Sequence, residues 1–155
     1  MKLIVCSDSH GRSEHLVQAI RREAPELCFF LGDGERDLER AQSQFPDLPV
    51  YAVRGNCDLR SRLSQELVCA VGGVTIFATH GHRYNVKHDQ SLIALRHAAR
   101  EANANVILFG HTHLPLLEWH GGVLYLNPGS IGGIRRSYGL LTVEHGRVQG
   151  ELKRL

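Results

Sequence analysis

Five short apolar runs in this chain end in the same small set of residue types. Leu3-Ile4-Val5-Cys6 leads into Ser7-Asp8-Ser9-His10, and Cys28-Phe29-Phe30-Leu31 into Gly32-Asp33. Tyr51-Ala52-Val53-Arg54 leads into Gly55-Asn56-Cys57-Asp58. Thr75-Ile76-Phe77-Ala78 leads into Thr79-His80-Gly81-His82, and Val106-Ile107-Leu108-Phe109 into Gly110-His111-Thr112-His113. Apolar runs bounded by Gly, Asp and Asn read as buried strands. In open α/β sheets, sites form outside the carboxyl ends of strands. Five segments would therefore bring carboxylates, imidazoles and an amide to one place. Asp8 and His10 are two apart, as are His111 and His113; in extended backbone such residues point to the same side. The glycines at 32, 55, 81 and 110 allow tight turns and close backbone approach. Each piece alone is ordinary turn chemistry. Together they form a metal-site signal.

The intervening segments set these runs in an α/β chain. Strands are expected at Lys2–Cys6, Leu27–Leu31 and Val50–Val53. Ser13–Ala24 reads as a helix, with Leu16, Ile20 and Ala24 on one face and Ser13 as its N-cap. Glu35–Gln44 reads as a second helix. Gln65–Val71 and Val74–Thr79 flank Gly72-Gly73 and predict a hairpin. Asp89–Asn103 carries the strongest helical spacing, through Leu92, Leu95, Ala99 and Ala102. A strand at Val106–Phe109 follows. The tail reads as short strands at Leu114–Trp119, Val123–Leu126, Tyr138–Glu144 and Arg147–Leu152. Early βαβ alternation favours parallel strands, and the late hairpins favour antiparallel ones. Two packed mixed sheets with helices outside satisfy both. A single doubly wound sheet is simpler but leaves the late hairpins unexplained.

Composition excludes several classes. The 155 residues fit one domain spanning 1–155. A hydrophobic share of 43% and a charged share of 22% exclude a disordered chain. No apolar run is long enough to span a membrane, and the opening Met1–Asp8 turns polar too soon for a signal peptide. A net charge of +2, without a basic stripe interleaved with aromatics, argues against a nucleic-acid partner. Cys6, Cys28, Cys57 and Cys69 form no CxxC pair, and three of them lie in apolar runs as expected buried thiols. The reading is a reduced, cytoplasmic protein. Ten histidines stand against one methionine and one tryptophan. His15, His88, His97, His120 and His145 fall outside the five strand ends and read as surface residues.

The order Asp8-x-His10, Gly32-Asp33, Gly55-Asn56-x-Asp58, His80 and Gly110-His111-x-His113 resembles the calcineurin-like metallophosphoesterase superfamily. Gly55-Asn56-Cys57-Asp58, His80-Gly81-His82-Arg83-Tyr84 and Asn127-Pro128-Gly129-Ser130 are similar to the motifs of its small YfcE-type phosphodiesterases. The resemblance runs from residue 3 to about residue 145. It implies a four-layer α/β sandwich, two mixed β-sheets flanked by helices, with two divalent metal ions at one edge. Asp8, His10 and His113 would hold the first ion, Asn56, His80 and His111 the second. Asp33 would bridge them, and Asp58 would orient neighbouring groups. The implied activity is phosphodiester hydrolysis of a small-molecule ester, by hydroxide activated between two metals and attacking phosphorus in line. Mixed imidazole, carboxylate and amide donors favour Mn, Fe, Co, Ni or Zn over calcium. Mn²⁺ is the expected activator.

Three departures from the superfamily stand out. Cys57 holds the position where many members carry a histidine proposed as general acid. Cys57 and His82 are therefore both candidates to protonate the leaving group. Asp37 lies one position later than the superfamily's second aspartate and reads as a solvated acid at a helix start. Only 22 residues separate Asp33 from Asn56, which leaves no room for a cap domain and predicts an open, shallow site. Arg12, Arg54, Arg83, Arg135 and Arg136 lie beside the motifs and include candidates for steering a phosphate. Tyr51, Phe77 and Trp119 suit either the core or an interface, so a homo-oligomer stays open. Two other functions also stand. One is an interaction scaffold, like the retromer subunit with this fold. The other is a phosphomonoesterase or nucleotide hydrolase using the same site.

Overall fold

The computed structural model describes residues 1–155. In β1 (Lys2–Cys6) the residues after Lys2 are all buried because both faces are covered. Leu3 and Val5 enter one core, and Ile4 and Cys6 enter another. β1 pairs in parallel with β2 (Leu27–Phe30), which pairs in parallel with β3 (Val50–Ala52). On its other side β1 pairs antiparallel with β9 (Ser137–Glu144), which forms a hairpin with β10 (Arg147–Arg154). The first sheet is therefore β10-β9-β1-β2-β3. The second contains β4 (Glu66–Val71), β5 (Val74–Thr79), β6 (Val106–Leu108), β8 (Val123–Asn127) and β7 (Leu116–His120), in that spatial order. β5, β6 and β8 run parallel, while β4 and β7 close the edges antiparallel. The single-sheet alternative is excluded.

Three apolar clusters define four layers. Leu3, Val5 and Phe29 of the first sheet meet Ile76, Leu108 and Leu126 of the second. The outer face of the first sheet, with Ile4, Cys6 and Phe30, packs on Leu16 and Ile20 of α1 (Ser13–Glu23) and Leu38 of α2 (Glu35–Gln42). The outer face of the second, with Phe77, Ile107 and Tyr125, packs on Leu95 and Ala99 of α3 (Ile93–Glu101). No helix is long and apolar enough to cross a membrane.

Local chemistry moves several expected boundaries. Ser13 is not a cap: it is the first helical residue, and Arg12 precedes it without a side-chain bond. α2 stops at Gln42. α3 starts at Ile93 rather than Asp89. The Asp89 carboxylate accepts the N–H groups of Ser91 (2.9 Å) and Ile93 (3.0 Å), and Leu92 sits at φ 54°. Side-chain bonding to nearby backbone competes here with the helix. β7 begins at Leu116, after Pro115, and β10 extends to Arg154. Cys6 and Cys28 are buried as expected, Cys69 is only half-buried on an edge strand, and Cys57 is exposed. Phe77 is core, whereas Trp119 is 57% exposed on edge strand β7. His15 is not a free surface residue; its half-buried ring donates from Nδ1 to the Ile131 carbonyl at 3.0 Å.

Candidate metal centre

The segments after β1, β2, β3, β5 and β6 converge at one edge of the two sheets. They do so through left-handed turns rather than extended backbone. Asp8, His10, Asp33, His111 and His113 all have φ between 45° and 67°, a region L-residues enter sparingly and one that gathers at functional sites. Extended backbone was therefore the wrong basis for expecting neighbours to point together. Asp8 and His10 do share a cluster, but His111 and His113 separate into two.

The first cluster is Asp8, His10 and His113. His113 Nε2 lies 2.9 Å from Asp8 Oδ1, and His10 Nε2 lies 3.3 Å from His113 Nε2. The second cluster is Asp33, His80 and His111. His80 Nε2 lies 3.4 Å from Asp33 Oδ2, 3.2 Å from His111 Nδ1 and 3.1 Å from Asn56 Oδ1. Asp33 Oδ2 also faces His10 Nε2 at 4.0 Å, so one oxygen stands between the clusters. His10, Asp33 and Cys57 form a third, overlapping group. All seven residues expected as ligands are thus brought together.

These separations suit shared cations. Two donors about 2.1 Å from one ion lie about 3 Å apart at a right angle and about 3.4 Å apart at a tetrahedral one. Asp8 Oδ1 is buried and has no hydrogen-bond partner, although His113 Nε2 stands 2.9 Å away. A buried carboxylate oxygen without a partner is costly, and a cation between it and the imidazoles would satisfy it. The donors present fit divalent ions.

The electrostatics agree. Burial alone would raise the Asp8 carboxyl, but His10 and His113 outweigh it and hold it well below the usual range. Burial likewise opposes Asp33, yet His80 and the Cys57 N–H bring it down to about 2. Asp8 raises the proton affinity of His10. Burial lowers that of His80, but Asp33 and Asp8 reverse the sign. His111 falls to about 4 through burial and the neighbouring His80. Two ionised carboxylates thus draw positive charge to this edge. The His80 Nδ1–H donates to the Leu31 carbonyl at 2.7 Å, which turns Nε2 toward Asp33 and His111.

A second set of groups holds these side chains. Asp58 accepts four backbone N–H bonds, from Asp33 (2.8 Å), Gly34 (3.0 Å), Glu35 (3.1 Å) and Gly55 (2.8 Å). It ties the end of β2 to the end of β3 and caps α2, whose start would otherwise leave free donors. Ser130 donates to the Asp8 carbonyl at 2.7 Å, and Asn127 to the Gly110 carbonyl at 3.0 Å. The Asn127–Ser130 turn therefore lies behind the cluster. Gly55 and Gly110 are required by close approach: a Cβ at Gly55 would strike Asp33 Oδ1, and one at Gly110 would strike Ser7 Oγ.

Asp37 corrects the sequence reading. It is 3% exposed, and its carboxylate accepts Ser9 Oγ (2.6 Å) and the Gly11 N–H (2.8 Å), latching the segment after β1 to α2. Its only sequence signal, an acid in a first helical turn, reads the same for a solvated residue. The Leu31 carbonyl was equally invisible, since a backbone acceptor leaves no mark in composition.

Cys57 and His82 stand on opposite sides. Cys57 is exposed beside Asp33 and His10, and its thiol is pushed up by burial of its surroundings and by Asp33. The His82 ring is 5.4 Å from that of His80 and 6.2 Å from that of His111; its buried Nδ1 has no partner. Burial and His80 lower its proton affinity. Arg12 pairs only with Glu14, at 3.9 Å. Arg54, Arg83, Arg135 and Arg136 make no side-chain bond to the cluster.

Two mixed sheets with Asp, Asn and His gathered at their strand ends define a metallophosphoesterase fold. The chain belongs to the calcineurin-like phosphoesterase superfamily, whose domain matches residues 1–146. It is 38% identical over 150 residues to the probable metallophosphoesterase YsnB of Bacillus subtilis, covering 94% of this chain and 86% of the relative. It is 30% identical over 171 residues to the phosphodiesterase YfcE of Escherichia coli, covering 91% and 87%. A crystal structure of a predicted phosphoesterase from Streptococcus pneumoniae TIGR4 superposes with a TM-score of 0.76 at 27% identity, covering 98% of this chain and 97% of that one.

Proposed function

We propose that this chain is a metal-dependent phosphodiesterase acting on small-molecule phosphate esters. Asp8, His10 and His113 hold one divalent ion, Asn56, His80 and His111 hold the other, and Asp33 serves both. The observation that carries this reading is the Asp33 Oδ2 position, 3.4 Å from His80 Nε2 and 4.0 Å from His10 Nε2, between two sets of inward-facing donors. Bound there, two divalent ions supply Lewis acidity toward phosphate and an acidified water as nucleophile. Asp8 and Asp33 offset only part of that positive charge, which leaves attraction for a phosphodiester anion. Leu31 keeps His80 in one tautomer, and Asp58 keeps the Asp33 and Gly55 turns in place. The diester preference is supported by the YfcE relative. We take Mn²⁺ as the activator among the first-row divalent ions that mixed nitrogen and oxygen donors accept. Buried free thiols at Cys6 and Cys28 suit a reducing compartment, and we place the protein in the cytoplasm.

The test is a metal-resolved assay. Protein stripped by chelator receives Mn²⁺, Ni²⁺, Co²⁺, Zn²⁺ or Mg²⁺ singly. Hydrolysis of bis-p-nitrophenyl phosphate and p-nitrophenyl phosphate is followed, and bound metal is counted by mass spectrometry. Asp33→Asn should lose at least about a hundredfold in diester hydrolysis and bind both ions more weakly, since even outer partners of ligands are worth 10–100-fold. Full activity in that variant with two ions bound would overturn the assignment. Preference for the monoester would identify a phosphomonoesterase, and two bound ions without hydrolysis of either reporter would favour a scaffold.

A further inference from the structure

We propose that the groove beside the cluster is a subsite for a second phosphate, so that the substrates are small phosphodiesters of nucleotide type carrying a further phosphate group. The inference rests on the phosphodiesterase reading for where the reacting phosphate sits. The groove, about 700 Å³, is lined by His10, Asp33 and Cys57 of the cluster and by Arg36, Arg40 and Arg60. One wall is α2, and the other is the loop that follows Cys57. Arg36 and Arg40 are four apart on α2 and so share one stripe; like charges at this spacing repel. The arginine side chains that pair or stack within the protein are Arg12, Arg21, Arg22 and Arg96, so the three that line the groove are free. Guanidinium forks that line one groove without a protein partner are suited to bidentate recognition of phosphate.

Five carboxylates also line the groove, and three of them, Asp33, Asp37 and Asp58, are engaged by other groups. Asp58 is turned inward onto four backbone N–H groups, and Asp37 onto Ser9 and Gly11. Glu35 and Glu39 line the groove as well as a hollow on the β3 side, so two carboxylates without a partner stand beside three arginines. The start of α2 offers no free pole, since Asp58 caps it. Attraction for an anion in the groove must come from the arginines. Their reach is short. α2 has eight residues, about 12 Å of helix, which suits one additional phosphate rather than a strand. Leu59, 86% exposed on the same groove, offers an apolar face to a ring or base.

The test is calorimetry on the Mn²⁺-loaded protein with thymidine 3′,5′-bisphosphate and thymidine 5′-monophosphate. The bisphosphate should bind at least about tenfold more tightly, the value of one charge-assisted hydrogen bond. In the exposed-site double variant Arg36→Gln/Arg60→Gln, folded by its thermal melt, that ratio should fall toward one. Equal affinities in the wild type, or an unchanged ratio in the double variant, would overturn the subsite. Octathymidylate binding more tightly than the bisphosphate would overturn the small-molecule assignment. Hydrolysis of bis-p-nitrophenyl phosphate by the same preparation judges the phosphodiesterase reading separately; if it fails, the binding ratio still decides the subsite.

Discussion

Asp33 shows how one side chain divides its work. Oδ1 accepts the Cys57 N–H at 2.7 Å, which fixes the carboxylate, while Oδ2 faces the imidazoles. That bond also holds Cys57 beside the cluster, in the lining of the groove. Cys57 is a weak acid there, since burial and then Asp33 both raise its thiol. Cys57→His should therefore speed a phenyl ester, a poor leaving group, by about tenfold or more, the low end of general acid catalysis being about a hundredfold. The p-nitrophenyl ester should change little. An unchanged phenyl-to-p-nitrophenyl ratio would move the role to His82, across the cluster, whose replacement by Ala should then slow the phenyl ester selectively. At this scale the sequence was legible wherever a residue type itself carries the chemistry, as at Asp8 or His80. It was silent at Asp37, where the same carboxylate is solvated or buried according to what stands opposite.

At the scale of elements, strands were easier to read than their ends. β1, β2 and β6 are continuous apolar runs because they are covered on both faces, and that pattern survives in sequence. Helix starts did not survive as well. α3 loses its first turn to Asp89, and α2 takes its cap from Asp58, which lies in another loop. This makes Asp58 a joint between elements. Asp58→Asn would keep one acceptor oxygen and turn an NH2 donor against the backbone N–H groups of the other pair. We expect a loss of about 2–4 kcal/mol in unfolding free energy, from several weakened charge-assisted bonds. It is to be measured by denaturant titration of chelator-treated protein, so that metal loss does not contribute. Unchanged stability would show that the turns hold themselves.

For the whole molecule, the fold is closed away from the candidate centre by another buried carboxylate. Glu23 on α1 accepts Tyr138 Oη of β9 at 2.7 Å and pairs with Lys2 of β1 at 2.8 Å and Lys153 of β10 at 3.5 Å. Burial opposes its ionisation, but Lys2 and Tyr138 outweigh it and bring it down to about 2. A carboxylate depressed in the folded state stabilises above its unfolded value, about 4.3, and that contribution is lost as pH falls toward 2. Glu23→Gln should cost about 1–3 kcal/mol at pH 7, and the gap between variant and wild type should narrow between pH 4.5 and pH 2. Thermal melts across that range check it; a gap independent of pH would assign the effect to packing. The sequence by itself determined which residues could be strands, that parallel and antiparallel pairs both had to be accommodated, and which donors stood at strand ends, because those depend on residue type and spacing along the chain. Only the tertiary structure decided that His111 and His113 part into separate clusters, that Asp37 is buried, and that three arginines share one groove. Those facts depend on backbone turns and on partners distant in sequence, which no local pattern encodes.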